Sequence, residues 1–132
     1  MKVQDGCDNF CSFCKVPYVR GRSKSRNLKE IIDEVKRLAA NGYKEIVLTG
    51  ICLGDFGKDL PGKIDLADLI GGIEELDGIS RIRLSSIEAK DVTAKLIKKM
   101  KTSRKLCPHL HIPFQSGDNK ILKLMNRRDS RQ

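Results

Sequence analysis

The stretch CDNFCSFC, residues 7 to 14, sets Cys7, Cys11 and Cys14 in a C-x3-C-x2-C spacing. Three thiols this close together can wrap a compact metal centre. Iron–sulfur clusters are held by thiolates, and a four-iron cluster normally uses four. Three would leave one iron without a protein ligand, open to a substrate or cofactor, as the fourth position of a catalytic zinc is. Zinc is the main rival reading. It needs a fourth ligand, and Cys52, Cys107, His109 and His111 are available. Zinc ligand pairs, however, usually recur roughly a dozen residues on, and no second pair follows here. A Cys-x-x-Cys redox motif would leave Cys7 idle. The spacing favours the iron–sulfur cluster.

Such a loop must be carried by regular elements, and the chain repeats strand, loop and helix. KVQ at the start reads as a first strand. LKEIIDEVKRLAANG puts Leu28, Ile31, Ile32, Val35, Leu38 and Ala39 on one helical face, with Asn27 and Glu30 as a capping box and Gly42 as the stop. EIVLT (45–49) reads as a buried strand, followed by a broken, Gly-rich loop. Asp65 can cap a second helix built on Leu66, Leu69, Ile70, Ile73 and Leu76. RIRLSS (81–86) alternates as a strand, 91–101 reads as a helix, HLHIPF (109–114) as a further strand and NKILKLM (119–125) as a further helix. About four βα units result, which predicts an α/β fold with a parallel sheet, open or curved into part of a barrel. Ligands on such sheets sit at the C-terminal strand ends. Cys7 to Cys14, Thr49 and Gly50, Ser85 to Glu88, and Gln115 to Gly117 all follow those ends.

The net charge of +9 is clustered: residues 15 to 26 carry five basic groups and no acid. Lys95 to Lys105 and the tail, with Arg127, Arg128 and Arg131, add more. Clustered basic charge attracts a polyanion such as RNA, although a merely solvated basic surface has the same composition. No apolar run approaches the roughly 18 residues of a membrane span, and MKVQDGC lacks a signal-peptide core. A cytoplasmic location and reduced cysteines are therefore expected.

CDNFCSFC also resembles the cluster motif of radical S-adenosylmethionine (SAM) enzymes, C-x3-C-x-aromatic-C, with Phe13 as the aromatic. VQDGCDNFC, PYVRGRSKSR, GYKEIVLTGI, RIRLSSIE and CPHLHIPFQSGDNKILKLMNRR resemble radical-SAM methylthiotransferases along nearly the whole chain. PHLHIPFQSG and SSIE favour the branch that thiomethylates threonylcarbamoyladenosine in tRNA. Sister branches act on isopentenyladenosine in tRNA and on a ribosomal-protein aspartate.

The resemblance implies a partial (β/α) barrel of the radical SAM type. It implies that Cys7, Cys11 and Cys14 hold a 4Fe-4S cluster whose open iron binds SAM. One electron, from a donor such as flavodoxin or ferredoxin, would then release a 5′-deoxyadenosyl radical. Backbone beside Phe13 would lie near the adenine. Thr49 and Gly50 would approach the methionyl amine, Ser86 and Glu88 the ribose and methionine, and Gln115, Ser116 and Gly117 would also face SAM. Arg20, Arg22, Lys24 and Arg26 would contact the tRNA backbone or the SAM carboxylate, with a solvated loop as the plain alternative. Phe13 could equally be core packing and Glu88 a surface charge. Family members carry an N-terminal domain with a second cluster and a C-terminal RNA-binding domain. The expectation is that 1–132 is the partial core alone, unable to thiomethylate by itself. A zinc-dependent nucleic-acid-binding module is the reading from another class.

Overall fold

The computed structural model describes residues 1–127. Residues 128–132, with Arg128 and Arg131 of the basic tail, lie outside the described residues. The centre is a pair of parallel strands, β3 (Glu45–Leu48 in chain order, after the short β1, Gln4–Asp5, and β2, Lys24–Ser25) and β4 (Arg81–Leu84). Their register sets Ile46 beside Ile82 and Leu48 beside Leu84. Both edges are extended by parallel contacts too short to count as strands. On one side Thr49 pairs with the chain start, its N–H donating to the Met1 carbonyl at 2.9 Å and its carbonyl accepting from the Val3 N–H at 2.9 Å. On the other, Ile82 bridges Leu106, with the Ile82 N–H donating to Lys105 at 2.8 Å and Cys107 N–H to Ile82 at 2.9 Å. The order is thus residues 1–3, β3, β4, residue 106, all parallel.

Alternation along β3 and β4 makes the sheet two-faced. Ile46, Leu48, Ile82 and Leu84 are buried in one cluster with Ile31 and Val35 of α2 (Leu28–Ala40), Leu69, Ile70 and Ile73 of α3 (Leu66–Glu74) and Leu96 of α4 (Ala94–Thr102). The other face carries Glu45, whose carboxylate takes Arg81 at 2.9 Å and Arg83 at 3.2 Å. The helices start where local chemistry starts them. Asn27 accepts from the Lys29 N–H at 2.8 Å, one residue short of the expected box with Glu30. Asp65 and Asp68 form a reciprocal capping box, and Thr93 caps α4.

Two expectations change. The strand over 109–114 does not form. Pro108 and Pro113 interrupt the donors a ladder needs, so the fourth sheet contact moves back to Leu106 and only the Ile87 N–H reaches His111, at 3.0 Å. Leu110 and Ile112 still pack on the core while His109 and His111 are exposed, so the alternation survives without the ladder. The basic stretch 15–26, taken as loop, contains a five-residue helix α1 (Val16–Arg20) and the strand β2, antiparallel to β1. The described residues form this open sheet with helices on one face, and α5 (Asn119–Leu124) follows at the end. Among the described residues, the partial barrel implied by the resemblance is represented by this parallel sheet. No helix among the described residues is long and apolar enough to cross a membrane.

Candidate cofactor site

The cysteine loop leaves β1 at Gly6, and the geometry there is tight. Gly6 has φ +71° and a Cβ on it would lie 2.0 Å from the Arg22 carbonyl oxygen, so glycine alone fits. The Cys7 N–H then donates to the Gly21 carbonyl at 3.2 Å, which closes the base of the loop. Gln4 locks the same corner. It is 1% exposed, yet its amide donates to the Gly6 carbonyl at 2.8 Å and to Ser23 Oγ at 2.9 Å, and its oxygen accepts from the Cys52 N–H at 2.8 Å. Gly50 packs on Gln4: a Cβ there would lie 2.8 Å from Gln4 Oε1. Gln4 was not singled out in the sequence. With Lys2 and Asp5 on either side of Val3 and Gln4, no local pattern marks it out.

One cavity of about 350 Å³ joins the strand ends. It is lined by Cys7, Cys11, Phe13, Cys14, Gly50, Cys52, Ser86, Glu88, Gln115 and Arg127, among others. Residues from three separate strand ends and the final turn therefore meet at one place. Phe13 is 56% exposed, so it is not core packing. Ser86 Oγ lies 2.7 Å from His111 Nδ1. Glu88 is no surface charge: its carboxylate takes Arg127 at 2.8 Å, Asn9 Nδ2 at 3.0 Å and Lys90 at 2.7 Å. Gln115 enters with φ +64°.

Other candidates stand outside the lining. Thr49 spends its backbone on the Met1 and Val3 pairings. Ser116 and Gly117 do not line the cavity, and a Cβ on Gly117 would meet nothing within 4 Å. Arg20 and Arg22 sit beyond it, 3.8 Å from Asp5 and 3.9 Å from Asp8. Arg26 pairs with Glu34 at 2.7 Å, and Lys24 lines a different cavity with Lys2 and Arg26. The cationic residue that does line the site is Arg127.

The three loop cysteines are all partly exposed and all line the one cavity. Burial pushes the Cys7 thiol up, against the Asn9 N–H that lowers it, and Glu88, Asp55 and Cys11 push the same way as burial. Cys52 is different in kind. It is 4% exposed, with its thiol pushed far up by burial and then by Asp55, so it stays a neutral thiol. Asn9 Nδ2 approaches its sulfur at 3.7 Å.

The sequence profile described as the Radical SAM superfamily matches residues 1–132. The chain belongs to the radical SAM superfamily. The superfamily implies a 4Fe-4S cluster and SAM, and the donor set fits: three partly exposed cysteines on one loop, and a cavity opening from them past Gly50 and Glu88. Within this radical SAM group, the chain is 47% identical over 130 residues to a tRNA-2-methylthio-N(6)-dimethylallyladenosine synthase of Carboxydothermus hydrogenoformans, covering 98% of the chain and 30% of that protein. Proteins of the same name from Pelotomaculum thermopropionicum (46%, 98% of the chain, 29% of the relative) and Thermoanaerobacter sp. (49%, 96% and 27%) are similar as well. The chain thus spans less than a third of the length of these curated relatives.

These names correct the branch. The threonylcarbamoyladenosine reading rested on SSIE and PHLHIPFQSG, but the relatives are named for dimethylallyladenosine, the isopentenyl-bearing base. The reason is positional. Ser86, Glu88 and Gln115, from those two motifs, line the same cavity as the cysteine loop and His111 contacts Ser86, a placement that does not bear on the group carried by the target base.

Proposed function

We propose that this chain is the radical-generating core of a tRNA methylthiotransferase that acts on N6-dimethylallyladenosine. The observation that carries it is the single cavity joining Cys7, Cys11 and Cys14 to Gly50, Ser86, Glu88 and Gln115, in a chain whose relatives of 46–47% identity bear that name. When bound, the cluster and SAM supply one-electron cleavage of SAM to a 5′-deoxyadenosyl radical. The three cysteines are the cluster ligands. When SAM is bound, Phe13 would be available to its adenine and the Gly50 backbone, packed on Gln4, to its methionyl end. Ser86 and Gln115 orient the nucleoside, while the Glu88 carboxylate, fixed by Arg127 and Asn9, sets the position of the strand end it leaves. Arg20, Arg22 and Lys24, next to the site but outside it, are proposed to meet the tRNA backbone.

Anaerobic reconstitution tests the core of this reading. The expected product is a brown protein with about four irons per chain, a cluster EPR signal that changes on adding SAM, and 5′-deoxyadenosine formed under a strong reductant. An unchanged EPR signal with SAM would sink the open-iron assignment. One colourless zinc per chain would favour the nucleic-acid-binding alternative. The branch is tested separately, by whether tRNA bearing dimethylallyladenosine binds more tightly than the same tRNA without that group.

A further inference from the structure

The three residues after α5 grip the cysteine loop from separate directions. The Met125 carbonyl accepts from the Ser12 N–H at 3.0 Å. Asn126 Nδ2 donates to the Phe10 carbonyl at 2.8 Å. Asn126 has φ +53°, a left-handed conformation that asparagine tolerates better than most residues. Arg127 donates through one terminal nitrogen to Glu88 at 2.8 Å and through the other to the Pro113 carbonyl at 3.1 Å, with 5% of its side chain exposed. Glu88 in turn accepts from Asn9 Nδ2, inside the cysteine loop, at 3.0 Å. Ser12, Phe10 and Asn9 thus trace, one by one, to Met125, Asn126 and Arg127. A buried guanidinium needs its charge paired, and this one is paired with Glu88, the partner of a loop residue.

We propose that Met125, Asn126 and Arg127 form a clasp that holds residues 8–14 in their cluster-binding shape before any cluster arrives. Asn126 and Arg127 are positioning residues in this scheme and do not touch the metal. Ordering a loop on binding costs conformational entropy, so a loop ordered beforehand holds its ligand more tightly. The clasp also couples two motifs far apart in sequence, because Glu88 belongs to the end of β4 while Asn9 belongs to the loop.

Amide hydrogen exchange on the metal-free chain tests this directly. Asn126→Gly keeps the left-handed backbone and removes the amide. Arg127→Met keeps an apolar stem and removes the guanidinium, and Arg127→Lys restores the charge without the two-way reach. Exchange at residues 8–14 is expected to rise about tenfold or more in Asn126→Gly and Arg127→Met, while amides of α2 and β3 stay at the wild-type rate. Arg127→Lys should fall between. After anaerobic reconstitution, iron loss to a chelator should accelerate in the same order. Unchanged exchange at 8–14, or a rise spread evenly over α2 and β3, overturns the proposal. Should Arg127→Met fail to fold, Asn126→Gly, altered at an exposed position, still gives the decisive reading.

Discussion

Cys52 faces the same cavity as Cys7, Cys11 and Cys14, yet its surroundings give it a different chemistry. The loop thiols are partly exposed, whereas Cys52 is buried against Asp55, which opposes a thiolate. Cys52→Ser is therefore expected to keep about four irons after reconstitution, while Cys7→Ser, Cys11→Ser or Cys14→Ser loses most of the iron and the visible absorbance. Iron assay of the four variants side by side checks this. A second residue-scale expectation concerns Glu74. Burial raises its carboxyl, but Ser103 Oγ at 2.7 Å, the Arg104 N–H at 2.8 Å and Lys99 outweigh that, and the net shift is downward from 4.5. A carboxyl lowered by folding stabilises the protein above its unfolded value and loses that contribution as pH falls through the folded one. Glu74→Gln should melt several degrees below the parent at pH 7, and the gap should close as pH drops below about 4.5. A gap that is the same at pH 7 and pH 3 would mean the carboxylate charge is not what Ser103 and Arg104 hold.

The elements carry the site by their ends, so strain at an end is expected to matter more than substitution along a face. At Gly6, where β1 becomes the cysteine loop, an added Cβ collides with the Arg22 carbonyl and demands a positive φ. Gly6→Ala should cost about 1–3 kcal/mol and should weaken iron retention as well, because Cys7 is next in the chain. Ile70 offers the contrast. It is fully buried in α3 within the apolar cluster, and Ile70→Ala should cost about 2–5 kcal/mol. Once folded in the cold, that variant should still bind a normal cluster, since Ile70 does not line the cavity of the cysteine loop. Urea titration with iron assay on both variants separates the two effects.

For the molecule as a whole, the basic excess is divided between structure and surface. The Arg127 side chain is covered and engaged by Glu88, Arg26 is engaged by Glu34, and Arg81 and Arg83 are engaged by Glu45. Arg20, Arg22 and Lys24 remain exposed beside the cysteine loop. If these three meet tRNA phosphates, affinity should fall about 40-fold between roughly 50 and 200 mM salt, from a log–log slope of about −0.9 per contact. Replacing one of them with Ala should flatten that slope by about one, whereas replacing Arg26 should barely change it. A salt-independent affinity would remove the tRNA backbone from the role proposed for this stretch.

What the sequence determined by itself is what depends on neighbours in the chain. The apolar stripe of α2, the caps at Asn27 and Asp65, the strand over 45–48 and the alternation of β4 are all local patterns, and each appears in the fold where it was expected, whereas α4 starts at Ala94, three residues after the expected 91, because Thr93 caps it. α1 escaped because five residues with Pro17 in the first turn carry no readable period. The strand over 109–114 failed because alternation predicts a two-faced segment but says nothing of whether partners can complete its hydrogen bonds. Tertiary structure alone decided the rest. It placed Gln4 under Gly50, aimed Arg127 rather than Arg20 or Arg22 into the cavity, and made Glu88 the partner of a loop 79 residues away. Such pairings arise from which buried charges and amides can satisfy one another once the sheet brings its ends together, and spacing along the chain does not encode them. The branch lay beyond both, because the motifs used to choose it sit beside the cysteine loop, and that placement does not bear on the group carried by the target base.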